Sequence, residues 1–269
     1  MNFAKRFAVA PGTKVRLKDI DPADTLDYKD KDKADAERAS HVEKLAKLSE
    51  LLWADNRYAL LIVLQGMDTA GKDGTIRRVM SGINPRDCRV VSFKQPTPLE
   101  LDHDFLWRIH LACPARGEIG IFNRSHYEDV TIVRVHNIVP EKVWSHRYDQ
   151  INSFEEILTA NNTRILKFFL HISKQEQKQR LEARIQDPVK NWKMEPGDLE
   201  ERKKWDDYQQ AYEAALSKCN TADAPWYIIP SDKKWFRNLA ISSILVETLE
   251  GLDLKPPKSK YDLSKLKVE

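Results

Sequence analysis

The sequence predicts an α/β fold in which a parallel sheet is covered by helices on both faces. Five short runs rich in β-branched or aromatic residues lie at about 58–65, 89–94, 118–122, 164–171 and 226–229, and helical patterns separate all of them. Such alternation favours parallel neighbours, because each return to the sheet goes through a crossover. A third observation places the site. The first run ends in Leu61-Ile62-Val63-Leu64-Gln65 and feeds directly into Gly66-Met67-Asp68-Thr69-Ala70-Gly71-Lys72-Asp73-Gly74-Thr75. In a parallel sheet, ligands belong at the carboxyl ends of the strands, which is where this loop lies.

Ahead of the first strand, 35–53 reads as a helix with Val42, Leu45, Leu48, Leu51 and Leu52 at helical spacing, a face for the core. The glycine loop follows the strand. Gly66 and Gly71 let successive backbone N–H groups turn inward, the next helix offers its positive end, and Lys72 adds a point charge to bridge phosphoryl oxygens. Such a P-loop normally closes with Ser or Thr after the lysine, whose hydroxyl binds Mg²⁺. Here that place holds Asp73, and Asp68 lies within the loop. Two carboxylates in a phosphate site call for a cation between them and the phosphates, so a carboxylate, Asp68 first, is read as taking over the metal. The motif says phosphate and leaves the reaction open.

Thr97-Pro98 followed by Leu99 to Leu111 reads as one capped helix, with Asp104 and Arg108 spaced to pair across a turn. Between the fourth and fifth strands the chain is far longer than one crossover needs. Its helical stretches at about 175–185 and 198–216 surround Pro188 and Pro196-Gly197, and 174–218 is read as a helical lid. Taken singly, its lysines and arginines suit a solvated face. Collectively they suit a mobile flap that grips a polyphosphorylated substrate and excludes water. The tail, 253–269, reads as extended and able to pack on a neighbouring subunit.

After the third strand come Asn123-Arg124-Ser125-His126-Tyr127-Glu128-Asp129. An arginine suits this place because its planar fork donates two hydrogen bonds to phosphoryl oxygens and stays charged through transfer. Glu128 or Asp129 is available to bind Mg²⁺ or orient an acceptor; the alternative is an Arg124 to Glu128 ion pair closing a helix start. Phosphate acceptors are already anionic near pH 7, so His126 is read as structural. His103, His110, His136, His146 and His171 stand singly and read as core or surface.

With 269 residues, 41% of them hydrophobic, the chain suffices for a single large domain, 1–269. A net charge of +3 gives no sequence-wide field for nucleic acid. The three cysteines, Cys88, Cys113 and Cys219, form no CxxC pair and read as core thiols in a reducing compartment. No run approaches a membrane span, so the expectation is a cytoplasmic protein without a membrane partner.

On these residues the chain resembles the second family of polyphosphate kinases, over nearly its whole length. The likeness rests on Gly66 to Gly74 as the Walker A element and Phe122 to Asp129 as the Walker B region. Ser92-Phe93-Lys94-Gln95-Pro96-Thr97, Lys167-Phe168-Phe169-Leu170-His171-Ile172-Ser173 and Trp192-Lys193 support it. Asn123 with Glu128-Asp129 is similar to the class III branch, whose members use both AMP and ADP. The resemblance implies a thymidylate-kinase-like P-loop three-layer αβα sandwich with a five-stranded parallel sheet and a helical lid. It also implies Mg²⁺ dependence, inorganic polyphosphate and adenine nucleotides as substrates, with guanine left open, and a homodimer or homotetramer. By position, Asp68 and Glu128 are expected on the metal or acceptor side, Lys72 and Arg124 on the transferring phosphoryl group, and Arg184 on the phosphate chain. Gly66, Met67, Thr69, Ala70, Gly71, Asp73, Gly74, Thr75, Asn123 and Lys193 are expected to bind phosphate or nucleotide. Two rivals stand beside this reading: an ATP-dependent nucleoside or nucleotide kinase on the same fold, and a nucleotide-binding switch without efficient turnover.

Overall fold

A computed structural model of the chain describes residues 2–263 and 266. Strands β1 (Ala59–Gln65), β2 (Cys88–Ser92), β3 (Ile119–Asn123), β4 (Thr163–His171) and β5 (Trp226–Pro230) form one five-stranded sheet in the order β2-β3-β1-β4-β5. Every neighbouring pair is parallel. Each strand falls where the sequence puts it. All seven residues of β1 are buried, six of them an apolar run ahead of Gln65, as in a strand covered on both faces.

The helices are α1 (Phe3–Phe7), α2 (Lys31–Asp55), α3 (Lys72–Val79), α4 (Pro98–Leu101), α5 (Trp107–Ala112), α6 (Ile132–Val135), α7 (Glu141–Trp144), α8 (Arg147–Ala160), α9 (Lys174–Gln186), α10 (Pro196–Lys203), α11 (Trp205–Lys218) and α12 (Lys234–Glu250). α12 buries Phe236, Leu239, Ile241, Ile244 and Leu245 and packs against α2, whose Leu45 and Leu52 are fully covered. α2 starts at Lys31, earlier than its apolar spacing suggests, because Asp30 caps it by accepting from the N–H groups of Asp32 and Lys33.

Two expected helices are broken. The stretch from Leu99 to Leu111 divides into α4 and α5. Thr97 and Glu100 close a capping box on α4, while the Asp104 side chain accepts from Leu106 N–H at 2.9 Å and starts a new turn. Arg108 therefore does not pair with Asp104; it donates to Lys94 O at 2.9 Å and lies 3.7 Å from Glu100. The stretch 198–216 divides at Lys204 into α10 and α11, a bend that lets both Glu201 and Lys204 face His136.

β1 leads the chain towards β2 on one side and β4 leads it towards β5 on the other, so the loops leaving the sheet centre diverge and open a crevice. The β5 edge is covered by the N-terminal segment: Ala8 bridges Tyr227 antiparallel, and Val9 N–H donates to Trp226 O at 2.9 Å. Among the described residues no helix is long and apolar enough to cross a membrane. Of the expected tail, 255–263 is exposed, and 264, 265 and 267–269 lie outside the described residues.

Candidate active site

Gly71 takes a left-handed conformation at φ +107° to cap α3, and no side chain caps that helix, so its positive end faces the crevice. A Cβ on Gly66 would sit 2.8 Å from Leu170 O, and one on Gly71 would sit 1.9 Å from an Arg237 guanidinium nitrogen. Only glycine fits either place. Lys72 Nζ is enclosed by the loop and donates to Gly66 O at 2.8 Å. Burial, and then the charge of Arg124, pushes its pKa down to about 8. The buried hydroxyls of Thr69 and Thr75 have no partner.

The end of β3 lies beside this loop because Leu64 pairs with Asn123, and Arg124 N–H donates to Leu64 O at 3.1 Å. Arg124 adopts φ +63°, a left-handed conformation that costs roughly 1–3 kcal/mol in a non-glycine residue. After it, Ser125 accepts from Tyr127 N–H at 3.2 Å and opens a 3₁₀ turn, His126–Asp129. The Arg124 guanidinium is 3.9 Å from Glu128, which joins Tyr212 and Asp68 in raising its pKa against the opposing effect of burial. The ion pair weighed in the sequence is present, and the same guanidinium lines the crevice.

The two adjacent carboxylates diverge. Glu128 faces the crevice, whereas Asp129 turns inward to Arg147 at 2.8 Å, with that guanidinium over the Phe105 ring. Burial pushes Asp129 up to about 6, against the pull of Arg147 and Arg108. His126 and Tyr127 are anchored beneath: both reach Glu155, at 3.3 and 2.8 Å. Burial lowers the His126 pKa against the pull of Glu155, and the buried ring lines neither of the site's cavities.

Two cavities meet at this point. The smaller, about 230 Å³, runs from Asp68, Lys72, Arg124 and Glu128 to His136, Glu201, Tyr208 and Tyr212. The larger, about 1120 Å³, lies between the P-loop and α9; Arg77, Lys94, Arg184, Lys190 and Lys234 make its wall strongly positive. Asp68, Lys72 and Arg124 line both. Arg184 reaches down from α9 to within 3.5 Å of Asp68 and 3.4 Å of Asp198. Asn123 donates to Asp73 at 2.6 Å on the groove side, joined there by Thr69, Gly71 and Gly74. Gly66 and Met67 line the smaller cavity. Ala70 and Thr75 are buried in the body of the loop and line neither.

Lys193 is not brought to the site. It stands on the 3₁₀ turn Asn191–Lys193, its ammonium 5.2 Å from the Trp192 ring centroid, and lines neither cavity. His136 is the reverse case. Read from sequence as a solitary histidine, it closes the smaller cavity, with Nε2 2.9 Å from Glu201 and Nδ1 2.9 Å from Lys204, while Tyr208 donates to Glu201 at 2.5 Å. These four residues come from two distant stretches and share no motif.

Among the described residues no group of three or more His, Cys, Asp or Glu side chains is placed to hold a metal ion. Asp68 and Glu128 nonetheless share one cavity, and Mg²⁺ is commonly held by one or two carboxylates, with substrate phosphates and water completing its shell. The residues present fit that ion.

A cradle for phosphate, a cationic fork from the neighbouring strand and a helical arm above them define a P-loop kinase. Residues 28–257 match the family model described as polyphosphate kinase 2, and the chain belongs to that family. It is 50% identical to the AMP/ADP-polyphosphate phosphotransferase of Meiothermus ruber, over 98% of this chain and 100% of that one. It is 47% identical to the ADP-polyphosphate phosphotransferase of Rhodopseudomonas palustris, over 95% and 92%. The crystal structure of polyphosphate kinase 2 from Arthrobacter aurescens TC1 matches at a TM-score of 0.94 and 42% identity, covering 98% of this chain and 94% of that one.

Proposed function

We propose that the chain transfers the terminal phosphoryl group of inorganic polyphosphate to AMP and to ADP. The observation that carries this is the pair of cavities sharing Asp68, Lys72 and Arg124. An elongated groove rich in lysine and arginine suits a chain of phosphates, and a small, nearly neutral cavity suits a nucleotide acceptor. The donor's last phosphorus and the acceptor's oxygen would meet over the shared residues, the geometry in-line transfer needs.

In this reading Lys72 and Arg124 hold the equatorial oxygens of the transferring group, and Arg184 neutralises the next phosphate along the chain. Asp68 and Glu128 would hold Mg²⁺, which when bound would offset the charge of the phosphate oxygens. The acceptor phosphate is already ionised, so no general base is assigned. α9 to α11 act as the lid, and Glu201, Tyr208 and His136 close the far end of the acceptor cavity. The same reading carries a cytoplasmic homodimer or homotetramer, with adenine nucleotides as acceptors and guanine left open.

The test is incubation with AMP, long-chain polyphosphate and Mg²⁺ in the absence of ATP, with nucleotides separated by ion exchange. ADP and then ATP are expected. Product only when ATP is supplied as donor would replace this reading with that of a nucleotide kinase.

A further inference from the structure

Beneath the P-loop, at the inner wall of the groove and away from the acceptor cavity, lies a concentration of positive charge. Arg237, from the start of α12, is 2% exposed; its Nη1 donates to Ala70 O at 2.9 Å, and its Nε and Nη2 donate to Asn238 Oδ1 at 3.2 and 3.0 Å. Arg180, from α9, approaches the same loop and donates to Thr69 O at 2.9 Å and Ala70 O at 3.0 Å. Arg180 is paired with Glu176 at 2.8 Å. Among the described residues Arg237 forms no ion pair with a carboxylate. Burial, and then Arg180, pushes its pKa down to about 9, which leaves it charged at neutral pH.

Packing does not require a charge here. Ala70 O already accepts from Arg180, so the bond from Arg237 is a second one to the same carbonyl. A buried ion without a counter-ion is strongly unfavourable, and an apolar side chain of similar volume fills such a place at lower free energy. The position of the charge is what distinguishes it. Arg237 Nη1 occupies the space a Cβ on Gly71 would enter, and Nη2 lies 3.5 Å from where one on Gly74 would be. The guanidinium therefore sits directly under the turn that opens to phosphate, and it contributes to the groove wall.

We propose that Arg237 is a counter-charge stored beneath the P-loop, a cation whose missing partner is the polyphosphate bound in the groove it helps to wall. It is a positioning and charge-compensating residue, acting through the loop. The inference rests on the reading of the groove as the polyphosphate site. It has a distinctive consequence: the charge destabilises the free protein and stabilises the complex, so removing it moves the two in opposite directions.

The experiment uses the full chain and tripolyphosphate as the probe, with AMP as the control ligand. Arg237→Met is expected to leave the ligand-free thermal midpoint unchanged or higher. Its dissociation constant for tripolyphosphate is expected to rise about tenfold, equivalent to ~1.4 kcal/mol, with a shallower salt dependence. AMP affinity stays as in the wild type, and Arg237→Lys recovers most of the tripolyphosphate affinity. If the Met variant does not fold, Arg237→Gln serves, since its amide keeps a donor without the charge. A folded neutral variant that binds tripolyphosphate as the wild type does overturns the proposal, as does equal loss in Arg237→Lys and Arg237→Met. Failure of the wild type to bind tripolyphosphate at all overturns the reading of the groove and this inference with it.

Discussion

Lys167 Nζ lies 2.6 Å from Glu155 Oε2, an ammonium and a carboxylate with essentially no exposure in the middle of the fold. The same ammonium donates to Tyr127 Oη at 2.9 Å and to Cys219 O at 2.7 Å. Tyr127 precedes Glu128, and Cys219 ends the helix that carries Tyr208 and Tyr212, so one side chain ties together two walls of the acceptor cavity. Lys167→Met should destabilise the chain by about 3–5 kcal/mol because Glu155 is left buried and unpaired. Lys167→Met with Glu155→Gln should recover much of that. Urea unfolding of both variants checks it; equal losses would mean that the pair matters by shape and not by charge.

Lys72→Ala should lower turnover by about 10³-fold while the circular dichroism spectrum persists and the thermal midpoint holds or rises, since its ammonium is buried and bonds only to loop carbonyls. Near-normal turnover would take Lys72 out of the mechanism.

Arg184→Ala should raise KM for polyphosphate by about tenfold and leave KM for AMP nearly unchanged, because Arg184 lines the groove and not the acceptor cavity. Equal rises in both constants would contradict a donor-side grip.

The depressed pKa of Lys72, about 8, sets a pH dependence of definite sign. Only the ammonium form bridges phosphates, so tripolyphosphate affinity should fall as pH rises above 8, and binding there should take up a proton. Calorimetry in buffers of different ionisation enthalpy reads that proton directly. The unfolded chain keeps this proton up to its ordinary pKa near 10.5 while the folded chain releases it from about 8, so Lys72 opposes folding below pH 8 and ceases to do so as pH rises towards 10.5.

Glu128→Gln should raise the Mg²⁺ concentration for half-maximal rate by about tenfold or more, whereas Asp129→Asn should not shift it. The carboxyl of Asp129, with its folded pKa raised to about 6, adds stability that is present below its unfolded value and lost as pH climbs through 6. Thermal midpoints of the Asn variant between pH 4 and 7 should lack that decline. A matching metal defect in both variants would undo the separation of their roles.

The strands were legible because β1 and β4 are rich in aliphatic and aromatic residues, β4 despite Arg164 and Lys167, and the P-loop because glycines and a lysine at fixed spacing leave few other readings. The division of Glu128 from Asp129 was not legible: adjacent carboxylates in a tight turn point apart, but which one faces the cavity depends on Arg147 and Phe105, residues from α8 and from the segment before α5. The break between α4 and α5 came from Asp104, whose side chain capped a new turn and overrode the helical pattern. His136 carried no local signal because its partners Glu201, Lys204 and Tyr208 lie more than sixty residues on, beyond β4 and α9.

The bridge between Ala8 and Tyr227 makes the order of synthesis matter. Residues near the start of the chain close the last strand of the sheet, and Asn220 reaches back to Val9 O at 2.8 Å in the same seam. A nascent chain thus carries the segment around Ala8 unpaired until β5 has emerged, so this contact of the sheet is also among its most distant in sequence. Truncating the first nine residues would leave the β5 edge open to other chains, shifting the hazard from slow closure to aggregation.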